Sequence, residues 1–296
     1  MVALFNNLQG ELRLNEPLSH YTSWRVGGAA HRFYKPKDRR DLAVFLAQLP
    51  AGEPILWLGL GSNVLIRDGG FPGTVIATAG ALQDIEIIGQ TVVAEVGVYC
   101  SKLAKKAAKA GLSGAAFLAG IPGTIGGALA MNAGAHQADT WSYVTNVTTV
   151  NRQGEFKQHQ PSDFEIAYRY VKGPEDEWFI SATLMLEQGD AELELDLIKT
   201  LLKKRNLSQP TNQPCAGSVF RNPDNDFAGR LIETTGLKGL RVGGAQVSEK
   251  HANFIVSDTT ATAADIETLI ALVQQKVEMA QGIRLTPEVH IIGEQA

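Results

Sequence analysis

Between residues 55 and 97, short apolar runs rich in β-branched residues alternate with glycine-containing turns: ILWLG (55–59), VLI (64–66), TVIAT (74–78), IEII (85–88) and TVVAEVG (91–97). This punctuation predicts strands. The period then lengthens. SKLAKKAAKAG, from Ser101 to Gly111, predicts a helix with lysines in its last turns and glycine as its C-cap. VTNVTTV (144–150) and EWFISATLMLE (177–187) predict two more strands, joined through a hairpin turn at NRQGE.

The character shifts near residue 189. GDAELELDLIKTLLKKRN is charged and predicts a helix ending near Asn206, and LSQPTNQPCAG, with two prolines and no period, predicts a loop. AGRLIETTG (228–236) predicts a short helix, and ANFIVS (252–257) a strand. The clearest helix is TAADIETLIALVQQKVEMAQG. Thr262 and Asp265 stand at capping-box spacing, with Asp in place of the usual Glu. Ile266, Leu269, Ile270, Val273 and Val277 make one apolar stripe, and Gly282 closes it. RLTPEVHIIG predicts a last strand, with Pro287 at its edge or start. The sum is an α+β chain.

Composition narrows the function classes. A chain of 296 residues implies two or three domains or one large unit. Hydrophobic content of 44% and charged content of 20% are those of a soluble globular protein. A net charge of −4 without a basic face argues against nucleic acid as a partner. The N-terminal residues have no signal-peptide pattern, and no apolar run reaches the ~18 residues of a membrane span. Two cysteines, Cys100 and Cys215, make no disulfide framework, so a reducing, cytoplasmic home is expected. The six histidines are scattered and no metal motif is present, so no metal is expected. No GxxxxGK[ST] loop exists.

Two glycine-rich segments remain. GLGSNVLIRDGG (59–70) follows a strand. Its N–H groups could form a nest for a phosphate, or the segment could be a plain turn between strands. AGIPGTIGGALAMNAGAH (119–136) holds five glycines and almost no large side chain. It reads as a tightly packed helix or crossing, or as backbone that a ligand must approach closely. Two such segments within about 80 residues suit an extended dinucleotide.

The motifs TSWRVGGAA, GLGSNVLIRDGGFPG, AGIPGTIGGALAMNAGA, AYR, AGSVFRNP, AGRLIETTGLKG, VGGAQVSEKHANFIV and LTPEVHIIG occur in this order. Together they resemble the UDP-N-acetylenolpyruvoylglucosamine reductases, flavoenzymes of peptidoglycan precursor synthesis. The resemblance runs from about residue 18 to 293. It implies a two-subdomain FAD-binding fold of the vanillyl-alcohol-oxidase type plus a C-terminal α+β substrate-binding domain. On this resemblance the chain divides into 1–79 and 80–189 (the two FAD subdomains), 190–284 (substrate domain) and 285–296, a strand with a catalytic Glu.

The same resemblance implies non-covalent FAD against Gly59, Gly61, Ser62, Asn63, Pro122, Gly123, Gly126, Gly127, Asn132 and Gly134. It implies NADPH as reductant and a UDP-linked enolpyruvyl sugar as substrate, contacted by Asn222, Gln246 and Tyr168. Ser218 would give a proton, and Arg169 and Glu288 would stabilise the enol intermediate. The protein is expected to be a monomer with no membrane or nucleic-acid partner. The family pattern is departed from in two places. Tyr170 and Val171 follow the YR pair where a serine is common, and Arg221 stands where lysine is usual. The chain also matches the shorter subtype, without the loop whose tyrosine closes over substrate. Competing expectations are an FAD-dependent oxidase of the wider superfamily and a non-catalytic nucleotide-binding module. AGSVFRNP and GGAQVSEKHANFIV fit only the reductase.

Overall fold

The computed structural model describes residues 5–296 and is α+β. It divides into two compact units, each discontinuous in sequence. Among the described residues the first comprises 5–13, 32–59 and 73–203; the second comprises 14–31, 60–72 and 204–296.

The first unit is built on a five-stranded antiparallel sheet. Its order is Phe156–His159, Val144–Asn151, Glu177–Met185, Thr91–Glu95 and Ile85–Ile88. One face carries Val92, Ala94, Val147, Ile180, Ala182 and Leu184, all essentially inaccessible. Helix α2 (Cys100–Lys109) buries Leu103, Ala104, Ala107 and Ala108 in the same core. The expected helix is thus present, with Gly111 left-handed just past its end. The expected hairpin is rearranged. The turn at NRQGE leads into Phe156–His159, and Glu177–Met185 pairs with the other edge of Val144–Asn151. The inserted strand is almost wholly exposed, so an edge strand with no apolar face gave no periodic signal. Helix α1 (Arg39–Leu46), capped by the Asp38 carboxylate on the Asp41 N–H, buries Leu42, Phe45 and Leu46 and was not expected from the sequence. Ile55–Leu58 pairs in parallel with Phe71–Ala77, placing Leu58 opposite Ala77.

A short helix, α3 (Ile125–Ala130), lies inside the glycine-rich segment, and α4 (Ala191–Ser208) follows the sheet. The second unit holds α5 (Ala228–Thr234) and α6 (Ala263–Gln281). The stripe expected of α6 is buried in full, its Thr262–Asp265 capping box is formed, and Gly282 is left-handed at φ +69°. A three-stranded antiparallel sheet, Arg241–Val242, Ala245–Val247 and Ile255–Ser257, packs in the same core. The last strand, His290–Ile292, pairs in parallel with Val64–Ile66.

Candidate active site

Of the five glycines of residues 119–136, Gly126 and Gly134 have protein neighbours that leave no room for a side chain. The segment bonds to residues 96–100 around an isolated antiparallel bridge between Tyr99 and Thr124. Cys100 N–H donates to the Gly123 carbonyl (3.0 Å), Ile125 N–H to Val98 (2.8 Å) and Gly126 N–H to Val96 (2.9 Å). A Cβ on Gly126 would stand 2.9 Å from the Val96 Cβ. On Gly134 it would stand 2.5 Å from the Ala138 carbonyl oxygen. Gly59 answers to the same segment: its Cβ would meet Thr124 Oγ1 at 2.5 Å, and Thr124 is the buried N-cap of α3. These glycines are required by the packing of the chain on itself.

Gly127 differs. A Cβ there would meet only Thr124 Oγ1, at 4.0 Å. Gly127 lines a cavity of about 300 Å³ together with Gly59, Gly126, Val96, Trp57, Phe164 and Trp178. The Trp57 and Trp178 rings stack at 5.7 Å and 21°. The Trp57 indole N–H is buried and has no hydrogen-bond partner among the described residues. A flat apolar ring system bearing an acceptor suits such walls and that orphan donor, and FAD carries ring systems of this kind. Neither tryptophan was singled out from the sequence. The available signal was a large aromatic in ILWLG directly before Gly59.

Glu177 closes another side of the cavity. Its carboxylate accepts from Lys157, Thr149 and His159, each at 2.7 Å. Burial alone would raise its pKa, but these bonds outweigh burial and hold it at about 2.

Arg169 sits at the two-residue turn between Glu165–Ala167 and Tyr170–Lys172, with φ +55°. Its guanidinium donates to the carbonyls of Asn132 (3.4 Å) and Gly134 (3.0 Å) and lies 5.0 Å from the ring centre of Tyr168. Three of the expected residues, Arg169, Asn132 and Gly134, are therefore brought together, with Tyr168 exposed beside them.

The second unit gathers a different set. Gly61 is left-handed at φ +60°, and a Cβ there would lie 2.1 Å from the Tyr21 carbonyl oxygen. Only glycine fits, and again the neighbour is protein. The next two residues join two distant segments. The Ser62 carbonyl accepts from Gly217 N–H (3.2 Å). Asn63 donates from its side-chain amide to the Glu288 carbonyl (3.2 Å), and its own carbonyl accepts from His290 N–H (3.0 Å). Glu288 N–H donates to the Val219 carbonyl at 2.7 Å. The GSN turn, Ser218 and Glu288, far apart in sequence, thus form one cluster. The Ser218 side chain is half-buried, and its hydroxyl has no hydrogen-bond partner among the described residues.

Asn253 fixes this cluster from beneath. It is 3% exposed. Its amide accepts from Phe220 N–H (3.0 Å) and donates to the Phe220 carbonyl (2.8 Å), while its own carbonyl accepts from Val219 N–H (2.9 Å). The sequence signal was a lone amide inside the apolar run ANFIV. Asn222 and Gln246 are engaged locally. Asn222 accepts from Ala228 N–H at the start of α5 (3.1 Å), and Gln246 donates to the Gly239 carbonyl (3.3 Å). Arg221 follows Phe220, with its Nε buried and unpartnered among the described residues. No cluster of metal-ligating side chains exists among the described residues, and none of their helices is long and apolar enough to cross a membrane.

Comparison with known proteins agrees along the whole chain. Residues 30–159 match the family described as FAD binding domain, and 209–292 match UDP-N-acetylenolpyruvoylglucosamine reductase, C-terminal domain. The reductase of that name from Legionella pneumophila (strain Corby) is 58% identical over 97% of this chain and 94% of its own. That of Alkalilimnicola ehrlichii is 54% identical over 99% of both. The crystal structure of the Thermus caldophilus reductase superposes with a TM-score of 0.82 at 33% identity, covering 96% of this chain and 99% of the other. With motifs, fold and near-complete coverage in agreement, the chain belongs to the UDP-N-acetylenolpyruvoylglucosamine reductase family.

Proposed function

We propose that this protein uses FAD and NADPH to reduce the enolpyruvyl group of UDP-N-acetylglucosamine enolpyruvate to UDP-N-acetylmuramate, a step of peptidoglycan precursor synthesis. The observation that carries the reading is the clasp joining Ser62 to Gly217 through the backbone and the Asn63 side-chain amide to the Glu288 carbonyl, in a chain of this family. The reading has the protein work in the cytoplasm on small molecules, without a membrane or nucleic-acid partner.

Bound non-covalently along the two glycine-rich segments, FAD would supply the hydride chemistry. Gly59, Gly61, Ser62 and Asn63, with Pro122, Gly123, Gly126 and Gly127, would hold it. The protein's own residues handle the charge and the proton. Addition of hydride to the methylene carbon puts negative charge on the adjacent carbon and the carboxylate of the substrate. Arg169 offers a planar, permanently charged fork to that carboxylate. An electrostatic contact made where charge develops lowers the barrier. Ser218 Oγ then gives a proton to the α-carbon, and Glu288 stabilises the enol. A serine hydroxyl is a weak acid and works only when held in place. The Val219–Asn253 and Phe220–Asn253 bonds hold the adjoining backbone. Asn222, Gln246 and Tyr168 contact the rest of the substrate.

Absorbance tests the reading. The purified protein should be yellow and should release all its flavin into an acid supernatant. NADPH should bleach it, and the UDP-linked enolpyruvyl sugar should restore the colour. A colourless protein unable to take up FAD, or a bleached flavin that the sugar leaves unchanged, would sink it.

A further inference from the structure

Helix α3 ends in a Schellman motif. Ala133 N–H donates to the Ala128 carbonyl (2.9 Å) and Asn132 N–H to Leu129 (3.3 Å). The residue between helix end and exit, Asn132, is left-handed at φ +40°. Glycine is the usual residue there, because it has no Cβ to strain. The surrounding segment has glycine at 120, 123, 126, 127 and 134, yet at this position it has asparagine. The side chain therefore has a use that outweighs the strain.

That use is visible. Asn132 is 6% exposed. Its Oδ1 accepts from Trp141 N–H (3.1 Å), and its Nδ2 donates to the Ala167 carbonyl (3.4 Å). Ala167 is the last residue before the Tyr168–Arg169 turn. The Asn132 backbone carbonyl meanwhile accepts from Arg169 Nη1 (3.4 Å), and Gly134 accepts from Nη2 (3.0 Å). One residue thus holds both the stem of the turn and the guanidinium at its tip. Both polar atoms of its amide thus already make a bond within the protein.

We infer that Asn132 is a positioning residue for Arg169, locking the turn so that the fork faces the substrate carboxylate. The inference rests on the reading of Arg169 given above. Glycine is the discriminating substitution, since Asn132→Gly keeps the helix end and the backbone carbonyl but deletes the side-chain bonds to Trp141 and to Ala167, the stem of the turn. The expected result, read at saturating FAD, is flavin reoxidation by the enolpyruvyl sugar slowed up to about 10²-fold more than NADPH reduction in the same variant, the scale of a misplaced catalytic group. Asn132→Asp, which retains the acceptor for Trp141 but loses the donor to Ala167, should slow the same half-reaction.

The mechanism adds a requirement that a merely structural residue would not meet. If Asn132 acts through Arg169, adding Asn132→Gly to Arg169→Ala should slow reoxidation no further. Wild-type reoxidation in Asn132→Gly, or effects that multiply in the double variant, would overturn the inference. Wild-type reoxidation in Arg169→Ala alone would instead remove Arg169 from the mechanism and the inference with it, a distinct and recognisable failure.

Discussion

Gly126 and Gly127 are neighbours in α3, and the structure predicts opposite outcomes for the same substitution. In Gly127→Val the new Cβ has no neighbour closer than 4.0 Å and the methyls enter the 300 Å³ cavity. The backbone is helical, and valine is a slightly better helix former than glycine, so the apo protein should keep its stability to within about 0.5 kcal/mol. What is lost is room for a ring. A buried aromatic group covers roughly 150–250 Å². At about 25 cal/mol per Å² its exclusion removes about 4–6 kcal/mol of binding. FAD should therefore bind about 10³–10⁴-fold more weakly. In Gly126→Val the Cβ would stand 2.9 Å from Val96 Cβ, inside the core. Overpacking of this kind costs about 1–3 kcal/mol in stability. At roughly 2–4 °C per kcal/mol, the apo melting temperature should fall by about 2–12 °C. Titration of the apo forms with FAD, followed by flavin fluorescence, and thermal unfolding of the same samples separate the two. Wild-type FAD affinity in Gly127→Val would show that the cofactor does not use this cavity. An apo Gly127→Val less stable than apo Gly126→Val would show that the glycine contacts have been misread.

Arg169→Lys keeps the charge but loses the fork, so turnover should fall about 10²–10³-fold; a rate within threefold of wild type would leave Arg169 a structural role. Ser218→Ala should bind FAD and be reduced by NADPH normally, while stopped-flow reoxidation by substrate falls by more than the roughly 10²–10⁴-fold of an acid–base group. Equal slowing of both steps would make Ser218 a support of the fold. Asn253→Ala strands the buried N–H and carbonyl of Phe220, at about 1–3 kcal/mol each, so chemical denaturation should show a large loss of stability. Glu177 is held at about 2, below its ordinary value, so it contributes stability that is complete above about pH 5 and is lost as pH falls towards 2. Glu177→Gln should flatten that part of the acid-unfolding curve, and an unchanged curve would contradict the assignment.

Helix α6 was legible in the sequence because stripe, capping box and terminal glycine all point to one answer. The strand Phe156–His159 was silent because an exposed edge needs no apolar face; Val144–Asn151 and Glu177–Met185 pair antiparallel as expected, but through this inserted strand and not by a direct hairpin turn. The glycines were legible as close approaches, but the approaching group was not. Val96, Thr124 and Tyr21 lie outside any local pattern, and only the three-dimensional packing separates Gly127, where a Cβ has room, from Gly59, Gly61 and Gly126, where it would press on protein. Ser218 and Glu288 are unremarkable as residues. Their proximity to Asn63 depends on the parallel pairing of Val64–Ile66 with His290–Ile292, which no local spacing encodes. Asn253 and Trp57 were missed because a buried amide or indole declares itself only through its partners, or through their absence.

The central claim is that the flavin passes its electrons to an enolpyruvyl sugar. The direct measurement reduces the protein anaerobically with one equivalent of NADPH and mixes it, in a stopped-flow instrument, with either the UDP-linked enolpyruvyl sugar or oxygenated buffer. The account predicts rapid return of flavin absorbance with the sugar, one sugar reduced per flavin, and much slower return with oxygen. Rapid reoxidation by oxygen together with no response to the sugar would contradict it and mark the protein as an oxidase.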